Sequence, residues 1–180
     1  MLRWNARVNL TAIRDPEEIV SRHFGESLFL ARHLFANPAD AATVLDIGSG
    51  AGFPGLPLKI RNSTISLTLV ESNQKKIAFL RELIRALTLT DVTAIAARAE
   101  SLIDSHPKSD IVTFRAVERF DTVLPIAASL VAPSGRIAVM IGSAQLSALA
   151  SIDPNLRWLP PIPVPQSQSR VLSISIPRVV

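Results

Sequence analysis

Hydrophobic positions along this chain alternate between two periods. "TVLDI" (43–47), "ISLTLVE" (65–71), "DVTAIAA" (91–97), "DIVTFRA" (110–116) and "GRIAVMI" (135–141) are short apolar runs rich in β-branched residues, the pattern of buried strands. Between them the apolar residues recur at helical spacing. "NQKKIAFLRELIRALTL" (73–89) sets Ile77, Leu80, Leu83, Ile84 and Leu87 on one face. A short helix is expected through Leu58 and Ile60, a helical turn over Ala99 to Asp104, and a helix capped by Asp121 that runs to about Leu130. Ahead of the first strand, Ile19, Val20, Phe24, Leu28, Ala31, Leu34 and Phe35 repeat at the same spacing. Asp15 is a good N-cap there, Pro16 suits the first helical position, and Glu17 and Glu18 suit the positive helix end. "ANPAD" (36–40) ends that helix.

This rhythm of strand and helix predicts an α/β fold, a mostly parallel twisted sheet with helices on both faces. The tail differs: six of the 13 prolines follow Asp153, clustered in "PPIPVP" (160–165). "RVLSISIP" (170–177) alternates cleanly and is expected as an antiparallel C-terminal strand at the sheet's edge.

Composition narrows the classes. The 180 residues suffice for one domain with a real core, and 48% hydrophobic against 19% charged residues fits a globular domain. No apolar run reaches the roughly 18–20 residues of a membrane span. Arg3, Asn5, Arg7 and Asn9 interrupt the start, so it does not read as a signal peptide, and a cytoplasmic location is expected. The absence of cysteine excludes disulfides, thiolate metal sites and a Cys nucleophile. A formal charge of +4 favours acidic partners such as nucleic acid, although no basic run marks a binding tail.

The candidate chemistry gathers in "VLDIGSGAGFPG" (44–55). Its glycines read as G-x-G-x-G (Gly48, Gly50, Gly52) or as G-x-G-x-x-G (Gly50, Gly52, Gly55). In an open α/β sheet the turn after the first strand is the expected ligand site. Asp46 chooses between the two readings: a carboxylate would repel a dinucleotide's pyrophosphate but attract the ammonium and sulfonium of S-adenosylmethionine. Pro54 and Pro57 crowd the turn, where a phosphate cradle needs free N–H donors. Glu71, at the end of the second strand, is placed to accept ribose hydroxyls of either cofactor.

With these residues in hand, the chain resembles the GidB/RsmG family, bacterial methyltransferases that modify N7 of a guanine in 16S ribosomal RNA. "WNARVNLTAIRDPEEIVSRHFGESL" (4–28) is similar to the family's N-terminal segment, and "VLDIGSGAGFPGLPLKI" (44–60) to its cofactor loop, including Phe-Pro-Gly-x-Pro. "LVESNQKKIAFLREL" (69–83) and "FRAVE" (114–118) resemble its later motifs. The resemblance implies a class I, Rossmann-like methyltransferase fold, with a helical segment over 1–40 and a cofactor-binding catalytic domain over 41–180. It implies S-adenosylmethionine contacts at Gly48, Phe53, Ala99, Glu100 and Arg115. Its partner would be 16S ribosomal RNA or the small ribosomal subunit, with no membrane and no metal, and the protein is expected to be a monomer.

The chain departs from the family pattern in three places. It starts just ahead of Trp4, where relatives carry a further helical stretch and which makes the N-terminal segment short; Ile141 stands where a lysine is usual, and Phe114 where a small polar residue is usual.

Ala99 and Glu100 could flank an adenine, with a backbone N–H and a carboxylate acceptor for its amine. Arg115 could take the cofactor carboxylate, an RNA phosphate or guanine O6. His23, with Arg22 and Ser27, belongs to a segment that the resemblance has closing over the site; Arg115 and His23 are thus the catalytic candidates. Lys75, Lys76, Arg81 and Arg85 form either an RNA-facing surface or a solvated helix face. Guanine N7 offers a lone pair without losing a proton, so neither a triad nor paired acids are required. The rival readings are the same fold acting on a small molecule or protein, an RNA-binding or ribosome-assembly protein with impaired catalysis, and a dinucleotide oxidoreductase, which Asp46 disfavours.

Overall fold

The computed structural model describes residues 1–117, 119–149 and 156–177. Five strands run parallel in the order β3-β2-β1-β4-β5: β1 (Thr43–Ile47), β2 (Ser66–Glu71), β3 (Val92–Ala96), β4 (Ser109–Arg115) and β5 (Val131–Gly142). β8 (Arg170–Pro177) pairs antiparallel with β5, pairing Ile141 with Val171 and Gly142 with Arg170, as its alternation predicts. Two further pieces, β6 (Leu156–Trp158) and β7 (Ile162–Pro163), pair antiparallel with β8. They are too short to leave a periodic signal in the sequence. β1 sits between β2 and β4, so the strand order reverses at its end, where an open sheet leaves a crevice.

Period-two burial on the strands feeds two cores. Val44, Leu67, Leu69, Ile111, Ala138 and Met140 face α4 (Gly55–Arg61) and α5 (Gln74–Ala86). Leu45, Ile47, Val112, Val139 and Ile141 face α6 (Phe120–Leu130) and α7 (Leu146–Leu149). The N-terminal segment has no core of its own. Leu10, Leu30, Ala31, Leu34 and Phe35 join the first cluster. Asn5, in α1 (Leu2–Val8), fastens the turn that follows by exchanging two 3.0 Å hydrogen bonds with the Thr11 backbone.

Asp15 caps the next helix as expected, accepting the Glu18 N–H at 2.7 Å. That helix is not uniform. It runs as α2 (Pro16–Ile19), a π-helical turn (Val20–Gly25) and α3 (Glu26–Leu34). The wider turn rotates the apolar stripe: Ile19, Ala31, Leu34 and Phe35 are buried, while Val20, Phe24 and Leu28 stay exposed. Asp121 lies in the first turn of α6 but its side chain caps nothing, and β5 begins directly at Val131 because Ser109 already pairs there. A 3₁₀ turn (Ala99–Leu102) follows β3.

Candidate active site

The glycine loop leaves β1 and turns into α4. Asp46 anchors that turn from behind. It is fully buried, and its Oδ2 accepts the Gly55 N–H at 3.1 Å. Gly55 permits this approach, since a Cβ there would stand 2.6 Å from Leu69 and 2.7 Å from the Asp46 carboxylate. Burial pushes the Asp46 carboxyl up to about 7; the Gly55 and Ser49 hydrogen bonds oppose it and the Glu71 charge reinforces it. Asp46 does not border the three hollows that open beyond β1; what it holds here is the loop and the start of α4. Gly52 is required by packing as well: it has φ +90°, and a Cβ there would lie 2.4 Å from Leu56. Gly52 and Gly55 thus complete the G-x-G-x-x-G spacing for reasons of packing.

Three hollows of about 170, 140 and 180 Å³ open past the strand ends. None alone reaches the ~300 Å³ usual for a small-molecule site, but together they do. They share walls. Gly48 borders the first and third, Arg115 and Ala116 the second and third, and Val117 the first and second. They therefore form one branched cleft. At the branch point Ala116 holds φ +51°, a left-handed conformation that turns the chain sharply after β4.

The first hollow brings together Gly48, Glu71, Ala99 and Glu100. The Glu71 carboxylate is oriented by two backbone donors, Gly50 N–H at 3.0 Å and Asn73 N–H at 2.8 Å. A carboxylate has about four acceptor sites, so capacity remains for hydroxyl donors. The third hollow joins Gly48, Gly50, Phe53, Lys76, His23 and Arg115. The N-terminal segment closes on the loop here. His23 stacks on Phe53 at 5.0 Å between ring centroids, and Phe24 meets the same ring edge-on at 4.9 Å. His23 Nε2 lies 2.9 Å from the Thr11 hydroxyl. Burial, then the charges of Arg115 and Arg22, lower its pKa to about 4, with Glu18 opposing. The ring is therefore neutral near pH 7.

The second hollow lies over the ends of β4 and β5. Phe114, Phe120, Met140 and Ile141 form its apolar floor, and Arg22, Arg115 and Arg170 stand around it. Buried Glu26 lies between two of them, 3.2 Å from Arg115 and 2.6 Å from Arg170. Burial lowers the Arg115 pKa, and Glu26 pulls the other way. Sequence reasoning missed Glu26 and Arg170. Glu26 follows His23 by one helical turn, which was a usable signal, whereas nothing local tied Arg170 in β8 to the site.

The α5 basic residues divide. Lys76 borders the cleft, Arg85 pairs with Glu82 at 2.8 Å, and Arg81 donates to the Ala94 carbonyl. Among the described residues no group of three His, Asp or Glu side chains could hold a metal, and no helix is long and apolar enough to cross a membrane. Glu118, last of the "FRAVE" motif, lies outside the described residues.

Among solved structures, the ribosomal protein L11 methylase from Lactobacillus delbrueckii subsp. bulgaricus superposes with a TM-score of 0.70 at 16% identity, covering 87% of this chain and 79% of that one. TrmN from Thermus thermophilus gives 0.66 at 17% identity, covering 88% and 53%. At such identities these likenesses establish the fold, that of the class I methyltransferases. Among curated sequences, the ribosomal RNA small subunit methyltransferase G of Myxococcus xanthus is 40% identical over 82% of this chain and 67% of its own length. The proteins of the same name from Roseiflexus castenholzii and a further Roseiflexus species are 40% and 47% identical, over 96% and 78% of this chain and 77% and 60% of theirs. The family model described as rRNA small subunit methyltransferase G matches residues 1–157. The chain belongs to the GidB family of rRNA small subunit methyltransferases.

Proposed function

We propose that the protein transfers a methyl group from S-adenosylmethionine to N7 of a guanine in 16S ribosomal RNA. The observation that carries this is the joining of two half-sites. The Glu71 carboxylate, Gly48 and the Ala99–Glu100 turn line one hollow, and it shares Gly48 with a hollow walled by Gly50, His23, Phe53 and Arg115.

These residues fit the cofactor. Glu71 has acceptor capacity for ribose hydroxyls, Gly48 borders both hollows without a side chain, and the Ala99 N–H and Glu100 carboxylate suit an adenine edge. Arg115 suits the amino-acid carboxylate or the substrate. S-adenosylmethionine supplies an electrophilic methyl carried on a sulfonium. Guanine N7 attacks through its lone pair and sheds no proton, so the protein's work is alignment and exclusion of water. His23, neutral and stacked on Phe53, serves as a wall that closes the loop side rather than as a base. Asp46 acts through the loop it supports.

Calorimetric titration with S-adenosylhomocysteine and with NAD tests the cofactor. Binding of the first alone is expected, and tight binding of NAD alone would sink the reading. Mapping N7-methylguanine in ribosomal RNA from cells with and without the gene tests the substrate. Survival of the mark after deletion would leave an assembly protein or another substrate as the better account.

A further inference from the structure

The hollow over β4 and β5 has two unlike surfaces. Its floor is apolar, with Phe114, Phe120, Met140 and Ile141 all buried beneath it. The Phe114 ring and the Ile141 side chain carry no charge or hydrogen-bonding group, which makes the floor suited to a flat ring rather than to a charge. Its rim is a set of hydrogen-bond donors. Arg22 Nε, Arg115 Nη1 and Arg170 Nε are each buried without a hydrogen-bond partner, against one unpartnered acceptor in the cluster, Glu26 Oε2. The surplus of donors beside the hollow is costly unless a ligand acceptor completes it. Glu18 and Glu26 pair with these arginines, at 2.8 Å to Arg22, 3.2 Å to Arg115 and 2.6 Å to Arg170, so three cations meet two carboxylates. With only one positive charge left over, this cluster above an apolar floor suits a neutral, acceptor-bearing ring better than a phosphate. The hollow also shares Arg115 and Ala116 with the one lined by the glycine loop, so an occupant would lie directly beside whatever that loop holds.

We propose that this hollow seats the acceptor purine, with its ring on the floor and its exocyclic oxygen toward the arginine rim, and that Arg170 is a specificity-determining residue. The assignment rests on the methyltransferase reading above. Glu26 is a positioning residue that keeps Arg115 and Arg170 at the rim.

The test uses the whole chain, small ribosomal subunits lacking the modification, and labelled S-adenosylmethionine. Arg170→Leu should lower kcat/KM for subunits at least tenfold while the Kd for S-adenosylhomocysteine changes less than twofold. The dependence of subunit KM on salt should keep its slope, because a base contact releases no counterion from phosphate. Arg170→Lys keeps a charge for Glu26 and covers the case in which leucine disrupts β8; without the guanidinium fork it should still lose at least threefold. Wild-type kcat/KM in both variants, or in the lysine variant should leucine not fold, overturns the proposal. A parallel loss of S-adenosylhomocysteine binding assigns the arginine to the cofactor side and also overturns it. A salt slope lower by about one makes Arg170 a backbone-phosphate contact and overturns the base assignment. Failure of the wild-type protein to bind S-adenosylhomocysteine or to methylate subunits sinks the underlying reading instead.

Discussion

Asp46 and His23 are both buried titratable groups, and they shift in opposite directions. Asp46 has its pKa raised from 3.8 to about 7. Between those values the unfolded chain is ionised and the native carboxyl takes up a proton, so this group's contribution to stability falls as pH rises from about 4 to 7. Asn at this position offers an oxygen to the Gly55 N–H without a charge. Relative to wild type, Asp46→Asn should therefore gain stability between pH 4 and pH 8, by up to about 3–4 kcal/mol. Urea melts across that range check it, and a pH-independent difference would show that Asp46 is not perturbed. His23, lowered from 6.5 to about 4, has the reverse sign. The unfolded state binds more protons between those values, so its stabilisation is present above pH 6.5 and is lost as pH falls toward 4. His23→Gln should flatten the acid limb of a thermal-melt profile over that window. The same neutrality predicts that methyl transfer shows no step near pH 6.5 from His23, which a rate profile from pH 5.5 to 8 measures.

Glu26 joins three elements that are far apart in sequence: its own helix α3, β4 through Arg115, and β8 through Arg170. Removing one member of a buried ionic cluster leaves the others uncompensated, which costs about 3–5 kcal/mol for a fully buried pair. Arg170 is partly exposed, so Glu26→Ala should cost nearer 2–3 kcal/mol in urea unfolding. A loss below ~0.5 kcal/mol would mean that the arginines find water in its place. This tie was hidden from the sequence because it depends on tertiary placement, whereas strands and helices announce themselves by period. The same limit explains the N-terminal helix. Its existence, and the Asp15 cap, followed from spacing and residue type. The π-helical turn did not, and it moves Val20, Phe24 and Leu28 off the buried stripe while bringing His23 and Phe24 onto Phe53. In the glycine loop the position of the site was legible, but the division of labour was not. Asp46, Gly52 and Gly55 share its motif with Gly48 and Gly50 yet hold the turn together from inside, because a motif records that a residue type is needed without recording which side of the backbone needs it.

For the molecule as a whole, the α/β alternation foretold the parallel sheet and the clean alternation of 170–177 the antiparallel β8, while the strand order that reverses at β1 depends on tertiary pairing. The charge distribution was not, since a formal +4 says nothing about where the excess sits. The fold puts Arg22, Lys76, Arg98, Arg115, Arg119 and Arg170 along the walls of the three hollows, while Arg85 is paired with Glu82 away from them. If the substrate is ribosomal RNA, phosphates should follow Lys76, Arg98 and Arg119, the cations outside the Arg22–Arg115–Arg170 cluster, and each phosphate contact adds close to one unit to the slope of log affinity against log salt. Lys76→Ala and Arg119→Ala should each weaken subunit binding and lower that slope by about one, whereas Arg85→Ala should leave both unchanged. Filter binding of small subunits from roughly 50 to 200 mM salt resolves the difference, since several such contacts change affinity by orders of magnitude over that range. Equal slopes for all three variants would place the RNA on another face and return the cleft-wall cations to the role of a solvated rim.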